Sequence, residues 1–115
     1  MATVRTFGQL VAHIAGAQFA MCAAALGEKP RDEGEIEKAI TSKAGLVKAL
    51  RESTEYCDRA YTQTSAAAAA STTLYGDNVP RYNALALNLV HNGEHYGNIV
   101  TYLRMKGLVP PSSQR

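Results

Sequence analysis

The chain has 115 residues, a length typical of one small domain spanning residues 1–115. Hydrophobic residues make up 46% of it, but 19 of them are alanines, and Leu, Ile, Val and Phe together form only a fifth of the chain, which predicts a thin core that a partner chain helps to complete. A net charge of +2, without a run of Lys and Arg longer than two, argues against a nucleic-acid partner.

The sequence also bears on location. No uninterrupted apolar run approaches the ~18 residues of a membrane span, so a membrane partner is not expected. The N-terminus does not combine a basic start with a long apolar stretch and a cleavage site. We therefore expect a cytoplasmic protein if Met1 is the native start, or an exported one if a signal has been removed.

The first predicted helix runs from Thr6 to Leu26. Thr6 and Gln9 have the spacing of a capping box, in which each side chain satisfies a free backbone N–H at the start of the helix. Gly27 supplies the left-handed stop. Apolar residues recur every three or four positions and form one stripe: Phe7, Leu10, Val11, Ile14, Met21, Cys22 and Ala25.

The middle of the chain contains a linker, a helix and a loop. Residues 27–42 are rich in Gly, Pro and charge, which predicts a linker with a short helical turn around Glu35 to Ile40. Ser42 or Thr41 caps a second helix over residues 43–64. Residues 65–80 are expected to form a helix end and an irregular loop. The apolar stripe of the second helix is Leu46, Leu50, Ser53, Cys57 and Tyr61.

The third predicted helix begins near Pro80, runs to Lys106 and is stopped by Gly107. Ser112 to Arg115 are expected to form a frayed tail. No segment alternates with a period of two over any useful length, so the predicted fold class is all-α. The main stripe of this helix is Tyr82, Leu85, Leu89, Tyr96, Val100 and Leu103.

The three histidines of the chain carry its chemistry: His13 in the first helix, and His91 and His95 in the third. His91 and His95 are four residues apart and therefore lie about 40° apart on one helical face. Neutral imidazole suits Zn²⁺, Ni²⁺ or Fe²⁺, and three protein ligands leave at least one position open, as in catalytic zinc sites. The alternative is hydrogen-bonded interior histidines with Glu94 on a solvated surface.

The stretch from His91 to His95 also fits H-x-x-E-H, the signature of inverted zinc proteases, in which Glu is the general base. That class needs a further carboxylate ligand well downstream and a much larger fold. Only 20 residues follow His95, and they contain no Asp or Glu. We therefore discard the protease interpretation.

The chain resembles the DinB-like (damage-inducible) family over nearly its whole length. The resemblance is carried by two segments, residues 4–15 around His13 and residues 91–104 around His91 and His95. The resemblance implies a four-helix bundle holding a divalent metal with three histidines, one from the second helix and two from an H-x3-H pair on the fourth. These positions match His13, His91 and His95. Relatives in the wider superfamily are thiol-dependent transferases and isomerases. The resemblance is specific for the fold and the metal site, and weak for the reaction.

The sequence departs from the family at its start, because only five residues precede Thr6, where the first helix of the family is expected. Three long helices do not close a four-helix core alone. We therefore expect a second copy, as a symmetric homodimer, or a helix absent from this sequence, to cover the groove.

The two cysteines, Cys22 and Cys57, lie at similar heights only if their helices run parallel; in an antiparallel hairpin they would differ by roughly 15 Å in height. The family resemblance suggests that the middle two helices of the bundle do run parallel. A disulfide, which would imply an oxidising compartment, and two buried free thiols both stay open.

We therefore expect a helical bundle that binds a divalent metal. Its expected activity is that of a metal-dependent hydrolase or a thiol-dependent transferase, and its partner is a small molecule, which can be a thiol. Asn98 and Tyr102 project on the histidine side of the helix and are candidate pocket residues, as is Glu94, which would orient a ligand. The alternative is a non-catalytic helical module in which the metal or dimerisation is only structural. A metal or thiol sensor using Cys22 or Cys57 is a weaker hypothesis.

Overall fold

The computed structural model describes residues 4–114, and the predicted helical fold is confirmed there. Three long helices carry the structure, joined by two helical turns and one small antiparallel hairpin. Met1 and Arg115 lie outside the described residues. The elements are α1 (Phe7–Leu26), α2 (Glu35–Ala39), α3 (Lys43–Tyr61), α4 (Ser65–Ala69), β1 (Ser71–Leu74), β2 (Asp77–Pro80) and α5 (Arg81–Met105), followed by a 3₁₀ turn (Pro111–Ser113).

The ends of α1 are set by the residues that the sequence indicated. The backbone N–H of Gln9 donates to the Thr6 hydroxyl, and the N–H of Thr6 donates to the Gln9 side chain, which completes the capping box. Gly27 follows the last turn with φ 67°, a left-handed conformation that a side chain would strain. Ser42 caps α3 in the same way as Thr6 caps α1, by accepting from the N–H of Gly45.

Helix α1 lies at the centre and packs against both α3 and α5. Contacts between α1 and α3 keep a nearly constant sequence offset: Gln18 bonds Ser53, and Cys22 meets Cys57, so the two helices run parallel. Helix α5 runs antiparallel to α1, since Tyr102 near its end bonds the backbone of Arg5. The 16-residue linker that contains α2 is what allows the chain to return and start α3 beside the start of α1.

Small residues make the core. Six of the thirteen buried residues of α1 are alanines, and buried residues of α3 and α5 are also small, for example Ala49, Ala60 and Ala84. Small side chains let helices approach closely but bury little apolar area, which fits the thin core predicted from composition. Among residues 4–114, α1 is the one helix that is long and apolar enough to cross a membrane, yet 72% of that stretch is buried inside the fold.

The side-chain amide of Gln18 ties the three long helices together. Its nitrogen donates to the Ser53 hydroxyl on α3 at 2.9 Å, and its oxygen accepts from Asn92 on α5 at 3.0 Å. A second donation reaches Thr54 at 3.3 Å, so both amide hydrogens and the carbonyl are used. A buried amide satisfied on both sides fixes the relative heights of the helices, because a slip would leave it unpaired.

Cys22 and Cys57 form a disulfide between α1 and α3, with Cα atoms 5.3 Å apart. Both cysteines are almost fully buried, among alanines of the same two helices and α5. The structure thus places the two cysteines in one bridge, the outcome allowed by parallel helices. Neither thiol is free for a sensor role in this state.

The irregular loop predicted for residues 65–80 is wrong. A short helix, α4, is followed by a hairpin whose strands pair Ser71 with Pro80 and Leu74 with Asp77. Tyr75 and Gly76 form its two-residue tip, with φ angles of 49° and 89°. Positive φ at both central positions is the conformation that matches the twist of a tight hairpin. The usual sequence for this turn is Asn-Gly, and here Tyr75 takes the place of the Asn.

The frayed tail predicted from Ser112 onwards is also wrong for the part that the structure describes. Residues 111–113 form a 3₁₀ turn that packs back on α5, where the N–H of Ser112 donates to the Tyr96 hydroxyl at 3.0 Å. Arg104 donates to the Ser113 hydroxyl. Pro110, nearly fully buried, anchors this return.

We predict that the unreduced protein, unfolded in denaturant, has no titratable thiol, and that the double variant Cys22→Ala, Cys57→Ala is destabilised. The bridge joins two residues that are 35 positions apart in the sequence. Its removal should therefore lower the free energy of unfolding by about 3–4 kcal/mol. Urea denaturation of wild type and variant measures the difference. Two free thiols per chain in unreduced protein would contradict the bridge.

Candidate metal centre

Three histidine rings meet between α1 and α5. The Nε2 atom of His91 lies 3.1 Å from Nε2 of His13 and 3.0 Å from Nε2 of His95. Ring centroids are 4.3 to 4.9 Å apart and the rings are steeply inclined to one another. The structure therefore brings all three histidines predicted from the sequence together, with the same ring nitrogen of each pointing to a common centre.

The antiparallel packing of α1 and α5 creates this meeting point. His91 and His95 are one turn apart on α5 and face α1, where His13 is buried. Gly16, one turn beyond His13, lets the linker approach: a Cβ built there would lie 2.0 Å from the backbone oxygen of Glu33. Only glycine fits this contact, which holds the linker against α1 beside the histidines.

Burial keeps two of the imidazoles neutral. Desolvation lowers the pKa of His13, and the positive charge of Arg5 and the neighbouring imidazole of His95 lower it further, against the opposing effect of Glu33 and Glu37. Desolvation, followed by the charges of His95 and His13, likewise lowers the pKa of His91. Neutral rings are the form that donates a nitrogen lone pair to a cation.

The outward ring nitrogens have three different surroundings. Nδ1 of His95 lies 3.1 Å from Oδ1 of Asn98. Nδ1 of His13 lies 4.0 Å from a carboxylate oxygen of Glu37 on α2, beyond hydrogen-bond length. Nδ1 of His91 is buried and has no hydrogen-bond partner within residues 4–114.

These residues fit a divalent metal ion. Three ring nitrogens held at about 2.0–2.1 Å from one tetrahedral ion would be roughly 3.3 Å apart, close to the 3.0–3.1 Å seen between the neighbouring Nε2 atoms. All three candidate ligand atoms lie within 4.8 Å of one another. A donor set of three neutral imidazoles suits Zn²⁺, Ni²⁺ or Fe²⁺, as expected from the sequence.

A cavity of about 480 Å³ opens beside the histidines, within the range of small-molecule sites. His95 forms part of its wall, so the cavity reaches the histidine cluster. The rest of the wall is mixed, with three apolar residues, one tyrosine, two neutral polar residues and one arginine. The lining residues are Val4, Arg5, Leu10, His95, Asn98, Thr101, Tyr102 and Met105.

Two of the three candidate pocket residues line this cavity. Asn98 and Tyr102 do so, and the Tyr102 hydroxyl donates to the backbone oxygen of Arg5, which fastens the start of the chain to α5. Glu94 is exposed on α5 and is not among the described residues that line the cavity.

Arg5 and Glu37 were not anticipated. They form an ion pair at 3.0 Å beside His13. Their distance in sequence from each other and from the histidines gives no spacing signal, and Glu37 lies in the segment interpreted as a linker. The only hint was the charge-rich composition of that segment.

Comparison with known proteins identifies one family. The family model described as the DinB superfamily matches residues 1–99, which include all three histidines. No curated protein and no solved structure matches the chain.

We predict that the metal-free protein loses stability as the pH falls below about 7. The pKa values of His13 and His91 are lower in the folded protein than the ordinary 6.5, so the unfolded chain binds protons first. The free energy of unfolding should therefore decrease from pH 7 down to the folded pKa values and then level off. Urea denaturation in a chelator between pH 8 and 5 measures this slope.

The variant His91→Ala should flatten that slope, since one of the two groups is removed. A free energy of unfolding that stays constant, or rises, between pH 7 and 5.5 in the wild type would show that these rings are not desolvated.

Proposed function

Because the chain belongs to the DinB superfamily, we propose that it is a metal-dependent enzyme, either a hydrolase or a thiol-dependent transferase, that acts on a small molecule. His13, His91 and His95 are the residues that would hold the metal. The superfamily consists of metal-binding helical proteins, and this chain has both the helical fold and the histidine cluster.

One observation carries the proposal: three Nε2 atoms from two distant stretches of chain converge beside a cavity. A structural metal is normally enclosed by four protein ligands. Here the cluster has three histidines, and His95 belongs also to the cavity wall, which favours a site that meets a ligand over one that only stabilises the bundle.

A bound divalent ion would act as a Lewis acid that polarises an oxygen or a sulfur of the substrate. The protein's own residues prepare the site for this. Burial lowers the pKa values of His13 and His91 and so favours their neutral forms, and the cavity wall is partly apolar, with Leu10 and Met105. Tyr102 anchors the backbone of Arg5, which lines the cavity, while the Arg5 guanidinium is paired with Glu37.

We also propose a homodimer, formed through the outer faces of α3 and α5. Apolar side chains remain exposed there, with Tyr61 at 47%, Tyr82 at 53% and Leu89 at 68%. The stretch of α5 from residue 82 to 103 carries only one carboxylate, Glu94. A symmetric interface places the same patch of both copies together, and the α5 part of this patch, which is almost free of charged residues, can do so without repulsion between like charges.

We predict that the protein binds one Co²⁺ or Zn²⁺ per chain and that each of the variants His13→Ala, His91→Ala and His95→Ala loses most of this metal. Removing one of three imidazoles removes a third of the donor set. Elemental analysis after dialysis measures occupancy, and visible absorption follows Co²⁺ binding. Glu94→Gln, beside the cluster but outside the cavity wall, is the matched control and should bind normally.

The same Co²⁺ protein distinguishes an enzyme site from a structural one. Added azide or 2-mercaptoethanol should change its visible spectrum, because the metal would have room for a further ligand. Full metal occupancy in the His91→Ala and His95→Ala proteins would refute the ligand assignment. A spectrum unchanged by either additive would favour the structural alternative.

For the dimer, we predict a mass of two chains by light scattering at micromolar concentration. Leu89→Glu, which places a charge in the exposed apolar face, should produce monomers. Asn83→Glu, an exposed residue on another side of α5, is the control and should stay dimeric. A well-folded wild-type monomer at that concentration would overturn the dimer proposal.

A further inference from the structure

We propose that the protein has a second binding site, which takes the carboxylate group of a small organic acid and lies between the linker and the β1–β2 hairpin. The cavity there has a volume of about 190 Å³, below the roughly 300–1,000 Å³ of sites for drug-sized molecules. It shares none of its described lining residues with the cavity beside the histidines. Ala20, where it touches α1, is seven residues beyond His13, about 10 Å along the helix axis.

The guanidinium of Arg31 is the cation of this cavity. Its central carbon lies 3.9 Å from the centroid of the Phe19 ring and 5.5 Å from that of Tyr56, so the flat group is stacked on aromatic side chains of α1 and α3. Stacking fixes the plane of the guanidinium and leaves the N–H groups at its edge free to donate. Arg31 is exposed, and no carboxylate within residues 4–114 forms an ion pair with it.

The carboxylate of Glu28 also lines the cavity, but its charge is already offset. The Tyr56 hydroxyl donates to one of its oxygens, and Arg59 donates to the other at 2.7 Å. These two hydrogen bonds lower the pKa of Glu28, so it is ionised at neutral pH. Arg31 is therefore the charge that a ligand can balance. A ligand with two negative charges would be repelled by Glu28, which favours a monoanion over hydrogen phosphate.

The tip of the hairpin is fastened against α1 and the linker at two points. The Thr72 hydroxyl donates to the backbone oxygen of Ala24 at 2.6 Å, and the Tyr75 hydroxyl donates to the Glu33 carboxylate at 2.7 Å. Tyr75 has φ 49°, a left-handed conformation that a non-glycine residue rarely adopts. An Asn would form the same turn with less strain, but it has no phenol to bond Glu33 and to line the cavity. The strained Tyr75 is thus explained by the cavity that it helps to form.

The other surfaces of the cavity determine the kind of anion. Apolar side chains line it together with Arg31, namely Ala20, Ala24, Pro30 and Leu74. A planar guanidinium can bind a carboxylate through two parallel N–H···O bonds, and a short hydrocarbon chain can contact the apolar side chains. The ligand class that fits is therefore an organic acid of a few carbons with one negative charge, rather than an inorganic anion.

Titration of butyrate into metal-free protein at pH 7 and constant ionic strength, followed by ¹H–¹⁵N NMR, tests the site. We expect the amide signals of Arg31 and of residues 73–76 to shift and to saturate. The uncharged n-butanol and inorganic phosphate should each bind about tenfold more weakly, because one lacks the carboxylate and the other lacks the chain and carries more charge. Unchanged signals with butyrate, or equal binding of n-butanol or phosphate, would overturn the inference.

Substitutions separate binding from folding. Arg31→Gln keeps a planar polar group but removes the charge, and it should weaken butyrate binding about tenfold. Tyr75→Asn introduces the usual turn residue, so the hairpin should persist by cross-strand NMR contacts while butyrate binds several-fold more weakly. Arg51→Gln, at an exposed arginine of α3 outside the cavity, is the control and should bind as the wild type does. Wild-type affinity in Arg31→Gln would refute the site, and wild-type affinity in Tyr75→Asn would refute the role of Tyr75.

Discussion

The antiparallel contact between α1 and α5 is the interaction on which the rest of this molecule depends. It faces His13 with the His91 and His95 pair, and it places the Nε2 atoms of His13 and His95 within about 3 Å of that of His91. Half a turn of slip along either helix axis would move the rings by nearly 3 Å and separate them. The buried amide of Gln18, bonded to α3 and α5 together, opposes such a slip because any displacement leaves it unpaired.

The alanine-rich core serves this contact and makes it vulnerable. Small buried side chains such as Ala17 and Ala84 let the helices approach one another. Each of them contributes little hydrophobic stabilisation, because burying a methyl group removes little apolar area from water. The disulfide between Cys22 and Cys57 compensates by restricting the unfolded chain. It links α1 and α3, which are otherwise connected along the chain only by the long linker.

The site is built in layers around the three rings. The first layer is the cluster of ring nitrogens, and the second consists of groups on the outer edges, Asn98 and Glu37, of which only Asn98 is within hydrogen-bond distance. The linker brings Glu37 into place, and it can approach α1 closely because Gly16 has no side chain. The cavity beside His95 completes the arrangement, so that the cluster of imidazoles stands next to a space that a small molecule can enter.

The sequence by itself determined the helices and the candidate ligands, because both depend on short-range spacing. Capping residues and Gly27 set the ends of α1, and the four-residue separation of His91 and His95 places both rings on one face whatever surrounds the helix. The hairpin was missed because Tyr75 stands at the turn position where Asn is usual, before Gly76. Only the tertiary structure decided which side chains lie next to the imidazole rings. Arg5, Glu37 and His13 come together because the chain reverses its direction, and their positions in the sequence follow no regular spacing. It also decided the pairing of the cysteines, because two positions 35 residues apart come together only when α1 and α3 run parallel.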